Sequence, residues 1–366
     1  MRFRSGCRLL TAVAGSTLAM VLAACGGSSS GTASGAGSAP GSSSAPAETI
    51  AQLKTKALQE GSVTWYTTFA DKDVKPMIDA FNKEFPGIRV NALRLSADKI
   101  PVRIITEQKG GKYNADVVSG DSPQVAQLVQ AGALQPFNPP DQGPLPRGLT
   151  LPSGYTAVVY AVTTVPAWNP GAAQKAGLQP PTSWQDLTQP QWKGKFSIDP
   201  GAVNWYDALI KDMGHAKALA LIQALGKNNP KLVTSHTQAL TQVEAGEPLA
   251  TATAYAYKAA SEKKKNPGEI DFANPDPLPS SLTLIDVVKN APHPDAAKLF
   301  VDWMVSRAGQ QEVIDQTNHT SLRSDVKNDT TVWNPSRWQP AWGTPILPPA
   351  QYNQEVQEMK QAFGAA

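Results

Sequence analysis

Ala115–Pro123 carries the first chemistry-bearing residues. Val117 and Val118 make a buried strand that runs into Ser119, Gly120, Asp121 and Ser122. Ser122 is placed to cap a helix, with Pro123 at its first position. A helix start presents free N–H groups and the positive end of a dipole, which suits anions and hydroxyls. Thr67 and Thr68 end an earlier strand and fall at the same edge of an open α/β sheet, where ligands gather. The alternative is that Ser122 only caps and Asp121 only makes a local turn. A second candidate is Tyr255 and Tyr257, two apart at the end of a β-rich run. On a strand both face one side. Their phenols can stack on a solute, hydrogen-bond it, or simply line a cleft. Tyr155, Asn204 and Tyr206 lie where further strands and loops approach the same edge. The four histidines are scattered, and no metalloprotease, nucleophile-elbow, phosphate-loop or dinucleotide motif is present. The chain is therefore read as a binder and not an enzyme.

The N-terminus has the grammar of an export signal. Arg2, Arg4 and Arg8 precede an apolar run, Leu9–Ala24, too short and too rich in Ala and Thr for a spanning helix. Leu22-Ala23-Ala24-Cys25 looks like a lipobox. Residues 1–24 then form a signal peptide, and Cys25 carries acyl chains that hold the protein to the membrane. Cys7 leaves with the signal, so no disulfide or thiol nucleophile remains. Residues 25–47 are Gly, Ser, Ala, Thr and Pro, a disordered tether.

The chain has 33 basic and 30 acidic side chains, and three of the arginines lie in the signal, so the mature protein is near neutral. That balance excludes nucleic acid as a main partner. The body from 48 onward is long enough for two lobes with their own cores.

The elements that must position these residues read as alternating strand and helix. Glu48–Gln59 is a helix, Gly61–Phe69 a strand, 71–85 a helix, and Ile88–Leu93 a strand. Pro101–Lys109 and the stretch after Ser122 are helices. Tyr155–Val165 is a long strand. Thr182–Pro200 reads as a capped short helix, a proline break and a strand, its tryptophans packing as core. Asp199–Tyr206 leads into a helix to about Met213, and Ala216–Leu225 is another. Thr237–Gly246 is a helix and Pro248–Tyr257 a strand. Ile270–Pro279 is loop, and Ser281–Val288 a return strand. His293 starts a helix that Ser306–Gln310 closes. Glu262–Lys265 is a solvated helix end.

Several stretches resemble bacterial extracellular solute-binding proteins of the ferric-iron, polyamine and phosphonate type. They are W-x-D-L…P-x-W-x-G-K…D-P from Trp184, V-x-W-Y-T-T-F from Val63, F-N-K-E-F-P-G-I-R-V from Phe81, and H-P-D-A-A-x-L-F-x-D-W from His293. The resemblance spans about residues 60–325. It implies an α/β, two-lobed type II periplasmic-binding-protein fold with a hinge and an interlobe cleft. Lobe one is expected at 48–155 plus 281–325, and lobe two at 156–280 plus 326–366. The implied function is solute capture by hinge closure for an ABC permease, as a monomer on the outer face of the membrane. A sensory lipoprotein feeding a receptor and a surface enzyme are the alternatives. Ferric-binding members use tyrosinate oxygens where Tyr255 and Tyr257 stand, and some have an acidic ligand where Asp121 stands. Phenolate is a hard donor suited to Fe(III). This chain departs from them in having Ala256 between the tyrosines, and Ala70 or Asp71 where some carry histidine. The expected solute is a small anionic or oxygen-rich organic molecule or Fe(III), with no cofactor.

Overall fold

The computed structural model describes residues 49–364 apart from 147, 148, 152, 153, 156, 277, 333, 335 and 336. The signal, Cys25 and the tether lie outside the described residues.

Eleven strands are described: β1 (Ser62–Thr67), β2 (Arg89–Arg94), β3 (Val117–Asp121), β4 (Leu134–Gln135), β5 (Ala157–Trp168), β6 (Phe196–Ile198), β7 (Lys231–Leu232), β8 (Ala250–Tyr255), β9 (Asp271–Phe272), β10 (Leu278–Val288) and β11 (Pro340–Trp342). The main path runs β2-β1-β3-β10-β5-β8-β6-β7. β1 pairs in parallel with β2 and β3, through crossover helices Asp71–Glu84 and Lys99–Lys109. β6 pairs in parallel with β7 and β8 in the same way. Between these two parallel halves stand the long strands β5 and β10, antiparallel to each other. β5 gives its first residues to β10 and its last to β8, with a register shift between Val165 and Ala167. Every residue of β5 is buried, so its sequence is largely apolar, broken only by Tyr160, Thr163 and Thr164, and shows no polar alternation.

Each half has a core on both faces of its strands. In the first, Trp65 and Phe81 pack on Phe300 of helix Pro294–Val305, with ring centroids 5.3 and 5.0 Å apart. Ile104, Val118, Leu128 and Leu284 fill the opposite face. In the second half, Trp184, Trp192 and Phe196 are buried together, so the tryptophans of the 182–200 stretch are core. Trp184 Nε1 donates to the Ala252 carbonyl at 2.8 Å, which satisfies its polar edge. The short helix Trp184–Leu187 forms behind a reciprocal Ser183–Asp186 capping box.

Four expectations are corrected. The strand expected over Pro248–Tyr257 stops at Tyr255, and Ala256 opens a helix to Lys265. Ala256 and Ala259 are small buried faces, and this helix replaces the strand once the sheet edge is reached. Ser306 does end the helix Pro294–Val305, but Arg307–Gln310 belongs to a new helix and not to that ending. Ser306 turns extended and its Oγ accepts from the Gly309 N–H at 3.2 Å, starting a further helix, Arg307–Thr317. Ser122 is not the cap. The helix Ser122–Gln130 begins on it, and Asp121 holds the cap position without a side-chain cap bond. The 270–279 stretch contributes β9, paired with the end of β5. The lysines at 263–265 do end a helix, and each is paired, with Asp271, Asp329 and Glu262.

Candidate functional site

The register of three neighbouring strands sets the site. Asp121 of β3 lies opposite Thr283 of β10, and Thr283 lies opposite Tyr160 of β5. The three form one lateral row across the sheet, so their side chains share a face. Thr283 Oγ1 donates to Asp121 Oδ1 at 2.8 Å, and Tyr160 lines the same cavity as both. One strand over, Thr164 of β5 pairs with Tyr255 at the end of β8. The turn into the next helix brings Tyr257 beside it, the rings stacked at 5.9 Å and 20°.

An arc of rings results. His319 stacks on Tyr160 and Tyr257 with both centroids 3.9 Å away, and His236 lies 4.2 Å from Tyr255. This arc borders two adjoining cavities. One, of about 200 Å³, is lined by Thr68, Asp73, Tyr160, Tyr257, Thr283 and His319 among others. The other, of about 160 Å³, is lined by Gln124, Asn204, His236, Ser281 and Tyr352 among others. Asp121, Val162 and Tyr255 line both. The second cavity also meets Gly201–Asn204, the start of helix Val203–Met213, whose first N–H groups lack a side-chain cap.

The electrostatics are one-sided. Asp73 and Asp121 line the cavities, and among the described residues neither Lys nor Arg does. Burial raises the Asp121 carboxyl above its ordinary value, opposed by the Thr283 bond. Burial also holds the Tyr160 and Tyr255 phenols well above theirs, with the Asp121 charge adding to it. Tyr257 is pushed up to about 12 by burial, then by Asp73 and Asp121. All three tyrosines line the same cavity as Asp121. His319 is lowered to about 3 by burial and is a neutral imidazole at ordinary pH. Its Nδ1 is buried without a hydrogen-bond partner. Among the described residues no three His, Cys, Asp or Glu gather as a metal site. Metal chemistry here would depend on the phenols.

The structure brings together Thr68, Asp121, Asn204, Tyr255 and Tyr257 from the residues expected in the site. The others serve beneath it or elsewhere. Thr67 and Ser119 are fully buried, their hydroxyls 2.8 Å apart, and Ser119 Oγ accepts from Trp65 Nε1 at 3.0 Å. They brace β1 against β3 under the cleft. Gly120 is buried opposite Leu284. Ser122 Oγ donates to the Leu282 carbonyl at 3.3 Å. Tyr155 packs against the core cluster of Leu282 and Leu284 and lines neither cavity. Tyr206 is a core residue whose hydroxyl donates to Glu358 at 2.7 Å. It points away because Asn204, two residues earlier, takes the cleft-facing side of that helix.

Sequence reasoning missed Tyr160, Thr283, His236, His319 and Tyr352. Tyr160 and Thr283 sit inside apolar strands and acquire their role only from cross-strand register. Tyr255 and Tyr257, expected to share one strand face, both line the first cavity although Tyr257 stands in the helix that follows β8.

The profile of the family described as bacterial extracellular solute-binding protein matches residues 76–339. An Fe(3+)-binding periplasmic protein of Serratia marcescens is 23% identical over 266 residues, 70% of this chain and 77% of that protein. Among solved structures, iron-bound HitA from Pseudomonas aeruginosa superposes with a TM-score of 0.69 at 23% identity, covering 82% of this chain and 99% of HitA. AfuA from Actinobacillus pleuropneumoniae, with fructose-6-phosphate bound, gives a TM-score of 0.73 at 19% identity over 84% of this chain and 99% of AfuA. A Trichodesmium protein in complex with iron and citrate ligands gives 0.67 at 21% identity over 82% and 99%.

Proposed function

Because the chain belongs to the bacterial extracellular solute-binding proteins and has their two-lobed α/β fold, we propose that it captures ferric ion together with a small oxyanion. The carrying observation is that Tyr160, Tyr255 and Tyr257 line one cavity with Asp73 and Asp121, where among the described residues neither Lys nor Arg is present. A hard trivalent cation is the charge partner that such a cleft suits, and phenolate and carboxylate oxygens are its preferred donors. The phenols are protonated in the empty site, so Fe(III) must displace their protons as it binds. The oxyanion fits the other cavity, against the uncapped start of helix Val203–Met213 and Asn204.

In this reading β5 and β10 are the hinge. Lobe one is 48–155 with 281–325, lobe two is 156–280 with 326–366, and the solute is enclosed as the lobes close. Acyl chains on Cys25 hold the protein to the outer face of the membrane, and an ABC permease receives the cargo.

The test is ferric loading of the purified protein followed by visible spectroscopy. Phenolate-to-iron charge transfer should colour the protein, and Tyr255→Phe and Tyr257→Phe should each shift or weaken the band. A loaded protein without colour, or variants indistinguishable from the parent, would sink the ferric reading. A second reading is a phosphorylated sugar with no metal. The uncapped helix start at Val203 favours it, and calorimetry with fructose 6-phosphate separates the two.

A further inference from the structure

The family match ends at residue 339, yet the chain continues through β11 and helix Pro349–Phe363. β11 pairs in parallel with the first residues of β10. Just after it, Thr344 donates through its N–H and its hydroxyl to the buried carboxylate of Asp207. Glu358 accepts from the Tyr206 hydroxyl and meets His215 at 2.9 Å. The helix lies so close to helix His215–Lys227 that a Cβ on Gly226 would sit 1.9 Å from the Ala362 carbonyl oxygen. These contacts dock the C-terminal segment on the second half of the sheet.

Its first turn reaches the other half. Leu347, Pro349, Tyr352 and Asn353 face Pro123 and Gln127 of helix Ser122–Gln130 across a further cavity. Tyr352 also lines the solute cavity, with Gln124, Asn204 and Tyr255. Its hydroxyl has no hydrogen-bond partner among the described residues.

We propose that this C-terminal segment is a wall of the solute site, and that Tyr352 selects the oxygen-rich partner of the ferric ion by donating a hydrogen bond to it. A phenol hydroxyl is a neutral donor, and a carboxylate or phosphate oxygen is its matching acceptor. Among the described residues neither Lys nor Arg lines this end of the cleft, so recognition there falls to His236 and to neutral donors: the Asn204 amide, the backbone N–H groups at 204–205 and the Tyr352 hydroxyl. Tyr352 is assigned to the partner and not to the metal because, of the two solute cavities, it lines only the second, whereas Tyr160, Tyr255 and Tyr257 line the first with Asp73 and Asp121. The metal half of the statement rests on the ferric reading above. The placement of Tyr352 does not.

The experiment compares the parent with Tyr352→Phe and Tyr352→Ala, using ferric citrate, citrate alone and fructose 6-phosphate as probes. Tyr352→Phe should lower affinity for ferric citrate about tenfold, the loss of one hydrogen bond to a charged group. The charge-transfer band and the melting temperature of the empty protein should stay at parent values. Equal affinity of Tyr352→Phe and the parent for the probe that the parent binds would overturn the role of the hydroxyl. Equal affinity of Tyr352→Ala would remove the segment from the site altogether. If the parent takes no ferric ion but binds citrate or fructose 6-phosphate, the ferric reading fails and the Tyr352 comparison is read with that probe. A parent that binds none of the three overturns both.

Discussion

Thr283 Oγ1 donates to Asp121 Oδ1 at 2.8 Å, tying the return strand β10 to the carboxylate at the centre of the cleft. The bond opposes the upward push of burial on Asp121 and keeps the carboxylate available to a cation. Thr283→Val removes the donor and keeps the shape. Asp121 then titrates higher, so ferric affinity should fall about tenfold, with a larger loss at pH 5.5 than at pH 7.5. Competition against a chelator at the two pH values measures it.

Iron uptake should strengthen as pH rises. Tyr160, Tyr255 and Tyr257 have phenols raised above their ordinary value, so each phenol that becomes a ligand must release a proton. Mass action then favours the loaded form at higher pH. Titration in lightly buffered solution should show proton release on ferric binding, reduced by one in Tyr257→Phe. Release unchanged in that variant would exclude Tyr257 as a ligand.

Asp116 is fully buried and holds the first half together. It accepts from the Thr64 and His293 N–H groups, both at 2.7 Å, and meets His293 Nδ1 at 2.9 Å. Asp116→Ala leaves these donors unpaired, and about 3 kcal/mol of stability should be lost. Urea unfolding checks the size, and Asp116→Asn should recover part of it.

Gly226→Ala should destabilise the second half by about 1–3 kcal/mol, because the added carbon meets the Ala362 backbone and one helix must move. If Pro349–Phe363 shifts, Tyr352 moves with it. The same substitution should therefore weaken solute binding, although Gly226 does not line either solute cavity. Unchanged melting and binding would mean that the helices separate freely.

Glu355 is buried, one carboxylate oxygen has no hydrogen-bond partner, and burial raises it to about 7 from 4.5. The folded protein therefore binds this proton more tightly than the unfolded chain does. Its contribution is fully present below pH 4.5 and is lost as pH rises through 7. Glu355→Gln should make the protein less sensitive to pH across that window and more stable at pH 8. Thermal melts from pH 4.5 to 8 would show it.

The class and much of the architecture were legible locally. Capping, proline breaks and apolar periodicity placed the helices at Ile50–Glu60, Asp71–Glu84 and Val203–Met213, and the strands around Trp65, Val117 and Tyr160. Those signals act over a few residues, as does the spacing that flagged Asp121, Tyr255 and Tyr257. The remainder of the site was decided by register and docking. Tyr160 and Thr283 are ordinary members of buried strands until β3, β10 and β5 align them in one row. His319 gains its place by stacking between two tyrosines far away in sequence. Tyr206 and Tyr155 are as polar as Tyr255 on paper, but packing buries Tyr206 in core and turns Tyr155 against the edge of another core cluster. Tyr352 enters the cleft because a helix beyond the family match fits against Gly226. A sequence carries the type of each side chain and the periodicity of its element. Only the tertiary fold fixes which distant hydroxyls meet, because pairing across strands and helix docking depend on contacts made after the local elements exist.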